Sequence, residues 1–211
     1  MLNPKISVIM ASFLLPYPNS ATNRDKKFVR AVNSFKKQSY SNKELIIVSD
    51  GCPLTVELYN KFFINDSNIK LIKIPKQELY SGGMRNAALE IADGDIISYL
   101  DTDDVLGANH LQLIVDEFDL DKYDFVYYDD LLVLDSTFKK FYHRIVEPRW
   151  ASIGTSSISH KNMKDMKKLW STGYGHDWLT MFKLVSMGLK YKKLNKISEY
   201  LVCHYGNGGD F

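Results

Sequence analysis

Residues 92–104 read Ala92-Asp-Gly-Asp-Ile-Ile-Ser-Tyr-Leu-Asp-Thr-Asp-Asp104. The run from Asp95 to Leu100 is short, apolar and β-branched, as in a strand buried on both faces, and it stops at Asp101. Alternate residues of a strand share a face, so Asp101 and Asp103 are expected to point into one site. Crowded carboxylates repel one another and ionise comfortably only beside a cation or hydrogen-bond donors. A hard divalent ion with oxygen ligands, magnesium or manganese, suits such a pair and commonly brings phosphate oxygens with it. The alternative is a polar turn that caps the next helix.

The pattern on either side decides the fold class. Upstream, Lys5 to Ser12 and Glu44 to Asp50 are two more buried-strand runs, and Ile69 to Ile74 reads as a further strand, stopped by Pro75. Between them, Arg24 to Gln38 has apolar residues at Phe28, Val29, Val32 and Phe35, a helical spacing, with Asn23 as its expected cap. Val56 to Phe63 and Gly83 to Ile91 read as further helices. Downstream come a helix over Ala108 to Phe118 and a strand over Phe125 to Tyr128. This strand–helix alternation predicts an α/β domain with a mainly parallel sheet and helices on both faces. In such sheets ligands gather at the carboxyl ends of the strands, which places Ser12, Asp50 and Asp101 on one rim.

Past residue 130 the pattern loosens. It reads as a strand pair over Leu131 to Leu134 and Phe138 to Tyr142, with Asp129-Asp130 as a turn. A polar loop follows over Gly154 to Ser159, then a helix from Asp177 to Met187 and short strands near Tyr191 and Tyr200. The chain has 211 residues, which suits a single domain of 1–211 with a small C-terminal subregion. The net charge of +2 gives no argument for nucleic acid, but its distribution is uneven. Residues 93–135 hold 13 acidic and 1 basic side chains, and residues 136–196 hold 13 basic and 3 acidic. The acidic block fits carboxylates around a cation. The basic block can meet phosphate, an anionic membrane surface or only water. Cys52 and Cys203 are too few for a disulfide framework and fit a reducing compartment. The run from Ile6 to Leu15 is too short to span a bilayer and lacks the flanks of a signal peptide.

Six stretches in order resemble glycosyltransferase family two, which has the GT-A fold. Residues 92–104 match its A-x-G-x-x-I-x-F-L-D-x-D-D stretch, and Ile6 to Ser12 matches its first strand. Gln38-Ser-Tyr40 before Glu44 to Gly51 matches Q-x-Y…E-x-I-I-V-D-D-G, and Gly82 to Leu89 matches G-x-A-R-N-x-G-L. Gly175-His-Asp-Trp-Leu with Gly188-Leu-Lys190 matches E-D-x-x-L…G-x-K. Val202-Cys-His204 with Asn207 matches Y-R-x-H-x-x-N. Four departures stand out: a long loop from Phe13 to Asn23, Met84 for Ala, Ala88 for Gly, and His176 for the usual Glu.

The resemblance implies an inverting, metal-dependent transferase. It would move a sugar from a nucleoside-diphosphate donor, by default a UDP-sugar, to a hydroxyl of a saccharide or lipid-linked acceptor in glycan synthesis. The half over residues 1–104 would bind the nucleotide sugar, and 105–211 would face the acceptor. Ala11, Ser12, Asp50, Arg85 and Asp101 would contact the nucleotide, and Asp103 would ligate Mn2+ or Mg2+, joined by Asp101 and His204. Asp177 would be the general base, although a helix N-cap fits the same position. Trp178 and His176 would meet the acceptor, with Trp150 and Trp170 as further stacking candidates. His204 reads equally as a buried core residue, Asp50 as a turn residue and Arg85 as a surface residue of its helix. The expected location is the cytoplasm, with peripheral contact at the inner membrane face. Two alternatives are a nucleotide-sugar-binding protein without turnover and a sugar nucleotidyltransferase. The second is disfavoured because Ala11-Ser-Phe-Leu-Leu-Pro16 offers no glycine and no charge for a phosphate loop. No G-x-G-x-x-G follows the first strand, which disfavours a dinucleotide oxidoreductase.

Overall fold

The computed structural model describes residues 3–18, 20–77, 81–150 and 152–203. Its first half follows the expected alternation: β1 (Ile6–Ser12), α1 (Arg24–Lys36), β2 (Lys43–Asp50), α2 (Pro53–Phe62), β3 (Ile69–Ile74), α3 (Gly82–Ile91) and β4 (Ile96–Tyr99). These strands lie parallel in the order β3-β2-β1-β4. Strand periodicity sorts β1 between two apolar layers. Ile6, Val8 and Met10 pack with Phe28, Val32 and Phe35 of α1, while Ile9 packs with Met84, Ala88 and Leu89 of α3. Helices therefore cover both faces of the sheet, as a sheet of continuous apolar strands requires.

Asn23 stands at the N-terminus of α1 as expected, but its side chain does not cap the helix. Its backbone is left-handed, with φ 52°, a conformation Asn tolerates better than most residues. Gly82 opens α3 against the backbone of residue 171. A Cβ there would lie 2.0 Å from the Ser171 carbonyl oxygen, so only glycine permits this approach.

The second half differs from the sequence reading in three places. The expected polar loop over residues 154–159 is instead a short 3-10 turn, Thr155–Ser157, followed by strand β9 (Ile158–Lys161). β9 runs antiparallel between β4 and β6 (Phe125–Tyr127), inside the main sheet. The polar residues of β9 are buried with partners: the Ser159 hydroxyl meets that of Tyr128, and His160 Nε2 meets Tyr99 Oη at 2.6 Å. The expected strand pair is shifted to β7 (Asp130–Val133) and β8 (Phe141–Arg144). The register is pinned by the two-pronged pair of the Arg144 guanidinium with the Asp130 carboxylate. Asp130 is thus a buried strand residue rather than part of a turn, and the Ser157 hydroxyl also donates to it at 3.0 Å.

The remaining elements are β5 (Val105–Leu106), α4 (His110–Glu117), α5 (His176–Ser186), β10 (Tyr191–Lys193) and β11 (Tyr200–Val202). β10 extends the main sheet beside β6, giving seven strands. β5, β11, β7 and β8 form a second sheet of four. α4 packs in the α1 layer through Leu111 and Ile114, and α5 in the α3 layer through Met181 and Leu184. Among the described residues, no helix is long and apolar enough to cross a membrane.

Candidate active site

The carboxyl ends of β1, β2, β3 and β4 open into a cleft of about 540 Å³. Ala11, Asp50, Arg85, Asp101, Asp103, His176 and Asp177 all line it, so seven of the sequence candidates meet in one place. Ser12 does not. It alternates with Ala11 along β1, faces α2 instead and shares a 2.8 Å hydrogen bond with the Thr55 hydroxyl. His204 lies outside the described residues. Trp170 is buried core and not an acceptor contact.

Asp101 and Asp103 share the cleft by a different route from the expected strand alternation. β4 ends at Tyr99, and residues 101–104 form a turn closed by Asp104 N–H donating to the Asp101 carbonyl at 3.3 Å. Arg30 of α1 donates to the Asp103 carbonyl at 2.7 Å. The buried Asp104 accepts from Cys203 N–H at 2.8 Å, and Tyr200 Oη accepts from Asp101 N–H at 3.0 Å. The third carboxylate of the motif therefore anchors the end of β11 instead of facing a ligand. Its charge, after burial, pushes the Cys203 thiol up to about 12, so that thiol is inert.

Arg85 is the hub of the floor. Its Nη2 donates to Asp101 at 3.0 Å and its Nη1 to the Ser81 hydroxyl at 2.5 Å. The guanidinium lies 4.5 Å from the ring centroid of Trp170, a cation–π distance. Trp170 is fixed in turn. Its Nε1 donates to Tyr99 Oη at 2.9 Å, and Asn86 bonds both its N–H and its carbonyl at 2.9 Å. His160 Nδ1 donates to the Lys161 carbonyl at 2.7 Å, so its Nε2 accepts from Tyr99. Burial lowers the His160 pKa to about 4, which keeps this network neutral.

Asp50 is buried at the end of β2. Lys76 Nζ donates to one oxygen and Gln77 N–H to the other, each at 2.6 Å. Lys76 follows β3 and reaches the same rim by the same topology as Asp50. It was absent from the sequence candidates, although Pro75 ending a strand pointed to it. Arg24 also lines the cleft, over the Tyr17 ring at 4.7 Å. The cleft thus combines Asp50, Asp101, Asp103 and Asp177 with Arg24, Lys76 and Arg85.

Asp177 lies in the first turn of α5. Gly175, left-handed at φ 76°, occupies the N-cap position, so the carboxylate is not needed as the cap. Oδ1 accepts from the Thr155 hydroxyl and lies 3.1 Å from His176 Nε2. Burial pushes the Asp177 carboxyl up, but the His176 hydrogen bond, the Arg85 charge and the Thr155 hydroxyl outweigh it. The net effect holds it below the ordinary aspartate value. Thr155 carried no signal in the sequence. A second cavity of about 270 Å³ adjoins the cleft through His176 and Asp177, and Trp150, Ile153, Tyr174, Gly175 and Trp178 complete its lining.

Among the described residues, no group of three or more His, Cys, Asp and Glu side chains forms a metal cage. The oxygen donors present still fit a hard cation. Magnesium-like ions bind through one or two carboxylates and complete their shell with substrate phosphates and water. Asp101 and Asp103 supply two carboxylates on one wall.

The family model for glycosyl transferase family 2 matches residues 20–186. The Escherichia coli UDP-Glc:alpha-D-GlcNAc-diphosphoundecaprenol beta-1,3-glucosyltransferase WfgD is 32% identical over 110 residues, covering 51% of this chain and 38% of the relative. S. aureus TarS 1–349 in complex with UDP-GlcNAc superposes with a TM-score of 0.70 at 19% identity, over 94% of this chain and 58% of that one. The mannosyltransferase PcManGT from Pyrobaculum calidifontis, in complex with GDP-Man and Mn2+, superposes with a TM-score of 0.65 at 15% identity, over 98% and 59%. The chain spans between 19% and 40% of the length of curated relatives such as WfgD. With the motifs collected on one rim of the sheet, the match over residues 20–186 shows that the chain belongs to glycosyl transferase family 2.

Proposed function

We propose that the cleft binds a nucleoside-diphosphate sugar, by default a UDP-sugar, and passes the sugar to an acceptor hydroxyl with inversion, in glycan synthesis. The observation that carries this reading is the position of Asp177. It is a carboxylate held ionised, on the wall shared by the donor cleft and the aromatic cavity beside it. A group so placed can take the hydroxyl proton as that oxygen attacks the anomeric carbon from the face opposite the leaving diphosphate.

The chain's own residues divide the remaining work. Asp50 and Ala11, which line the cleft, would meet the nucleoside, and the cations Arg24, Lys76 and Arg85 would offset the charge of the diphosphate. Arg85 also holds Asp101 in place. Asp103, with Asp101, would hold a divalent ion, manganese or magnesium, which would neutralise charge on the leaving diphosphate. Trp178, Trp150 and His176 line the second cavity and would meet the acceptor, where aromatic faces suit the apolar edges of a sugar.

A thermal-shift screen of nucleotide sugars with and without manganese tests the reading. A ligand that binds only the folded chain raises its melting temperature with the logarithm of concentration over Kd. A manganese-dependent rise with one nucleoside-diphosphate sugar supports it, and no rise with any nucleotide sugar contradicts it.

A further inference from the structure

Between α1 and β5 lies a groove of about 510 Å³ that shares no lining residue with either cavity of the candidate active site. Lys26, Arg30, Asn33 and Lys37 line one side of it, and Val105 and Leu106 line the other. By helical spacing the first four fall within about 60° of one another around the α1 axis, so they form one stripe, which ends at the C-cap Lys37. No carboxylate lines the groove. Among the described residues, Lys26, Arg30 and Lys37 have no carboxylate partner, whereas Lys5, Lys70, Lys76 and Lys161 each have one. Lys26 and Arg30 are also helical neighbours four residues apart, where like charges repel.

Arg30 is held at the centre of this stripe. Its guanidinium lies 5.0 Å from the centroid of the Phe138 ring, and its Nη2 donates to the Asp103 carbonyl. Phe138 keeps a left-handed backbone, φ 55°, which a bulky residue rarely adopts, and such strain gathers at functional positions. Arg30 Nε is buried with no hydrogen-bond partner among the described residues, a costly state for a donor.

Cationic donors with no facing carboxylate select an anion, and a concave site of this volume suits a small molecule better than a flat surface. Lys26 with Arg30, and Asn33 with Lys37, are pairs four residues apart, each able to share one phosphate. The two pairs sit about 10 Å apart along the helix. We propose that the groove binds a small ligand with two separated phosphate groups, one on each pair, and its uncharged body against Val105 and Leu106. This site is independent of the transferase reading. Arg30 also joins it to the turn at Asp103, which lines the candidate active site.

Fructose bisphosphate, with a phosphate at each end, and fructose monophosphate, with one, serve as probes in metal-free buffer. Heteronuclear NMR of the isotope-labelled full chain reports where each binds. The bisphosphate should shift the amides of Arg30, Asn33 and Lys37 saturably, and bind about tenfold more tightly than the monophosphate, the worth of one more charged hydrogen bond. Lys37→Gln should keep the wild-type melting temperature and remove that advantage, and Lys26→Gln should do the same from the other end. Equal affinities for the two probes in the wild type, unchanged affinities in both variants, or shifts confined to Asp50, Arg85 and Asp101 would overturn the proposal. So would sedimentation with phosphatidylserine vesicles that the two substitutions together abolish, in the absence of saturable bisphosphate binding, since the stripe would then meet a membrane. The probes carry no nucleoside and no sugar is transferred, so either outcome leaves the donor reading to its own test.

Discussion

The Thr155 hydroxyl donates to Oδ1 of Asp177, joining the turn before β9 to the first turn of α5. His176 Nε2 lies 3.1 Å from the same oxygen. Both contacts fall on Oδ1 and restrain the carboxylate, as its proposed role of base requires. A base held within a few tenths of an ångström is what efficient proton transfer requires.

The pH dependence of transfer follows from these contacts. The Asp177 carboxyl is held below the ordinary aspartate value, partly by the Arg85 charge. The rate should therefore stay level through neutral pH and fall only below the usual aspartate range. Arg85→Met removes a positive charge, which favours the protonated acid and raises its pKa. The acid limb of the kcat profile should then move to higher pH. Thr155→Val removes a donor to the charged form and should move the limb in the same direction, by less. A limb that stays in place in both variants would detach Asp177 from the rate.

Trp170 positions Arg85 without touching the cleft. Trp170→Phe keeps an aromatic face for the guanidinium but leaves Tyr99 Oη without its Nε1 donor. Losing one buried hydrogen bond costs about 1–2 kcal/mol of stability. Nucleotide affinity should fall by only a few fold, because Arg85 keeps its bonds to Asp101 and Ser81. Trp170→Ala should weaken nucleotide binding much more, and calorimetry on the pair separates the two effects.

Two neighbouring glycines should behave differently. In Gly82→Ala the new Cβ meets the Ser171 carbonyl oxygen at 2.0 Å, backbone against backbone. A loss of about 2–3 kcal/mol is expected, read as a lower melting temperature. In Gly83→Ala it meets only the end of the Gln77 side chain at 3.2 Å, which can move aside. Alanine is also the better helix former, so Gly83→Ala should be neutral or slightly stabilising.

Asp103→Ala keeps the backbone carbonyl that accepts from Arg30, so the link between α1 and this turn should survive. Manganese should then no longer strengthen nucleoside-diphosphate binding. Unchanged manganese dependence in this variant would remove Asp103 from the metal site.

The first half of the fold was legible because β1, β2 and β4 contain continuous apolar runs, β3 mixes isoleucine and leucine with two lysines before Pro75, and α1 shows its apolar stripe. Topology alone then gathered Ala11, Asp50 and Asp101 at one rim. β9 escaped because Ile158-Ser-His-Lys161 has a single large apolar residue, and burial of Ser159 and His160 depends on Tyr128 and Tyr99, more than 30 residues away. Thr155 was invisible for the same reason. Its role exists only once β9 brings it against α5. Ser12 was assigned to the rim by position in the chain, and one step of strand alternation turned it to the opposite face.

The most direct measurement is the transfer rate of Asp177→Asn beside its affinity for the nucleotide sugar. Asparagine keeps the shape and an oxygen for Thr155, and Gly175 rather than Asp177 sits at the N-cap, so folding and donor binding should survive. The rate should fall by roughly 10²–10⁴-fold, the usual worth of general base catalysis. A variant that binds the donor like wild type and transfers sugar at the wild-type rate would contradict the assignment of Asp177 as the base.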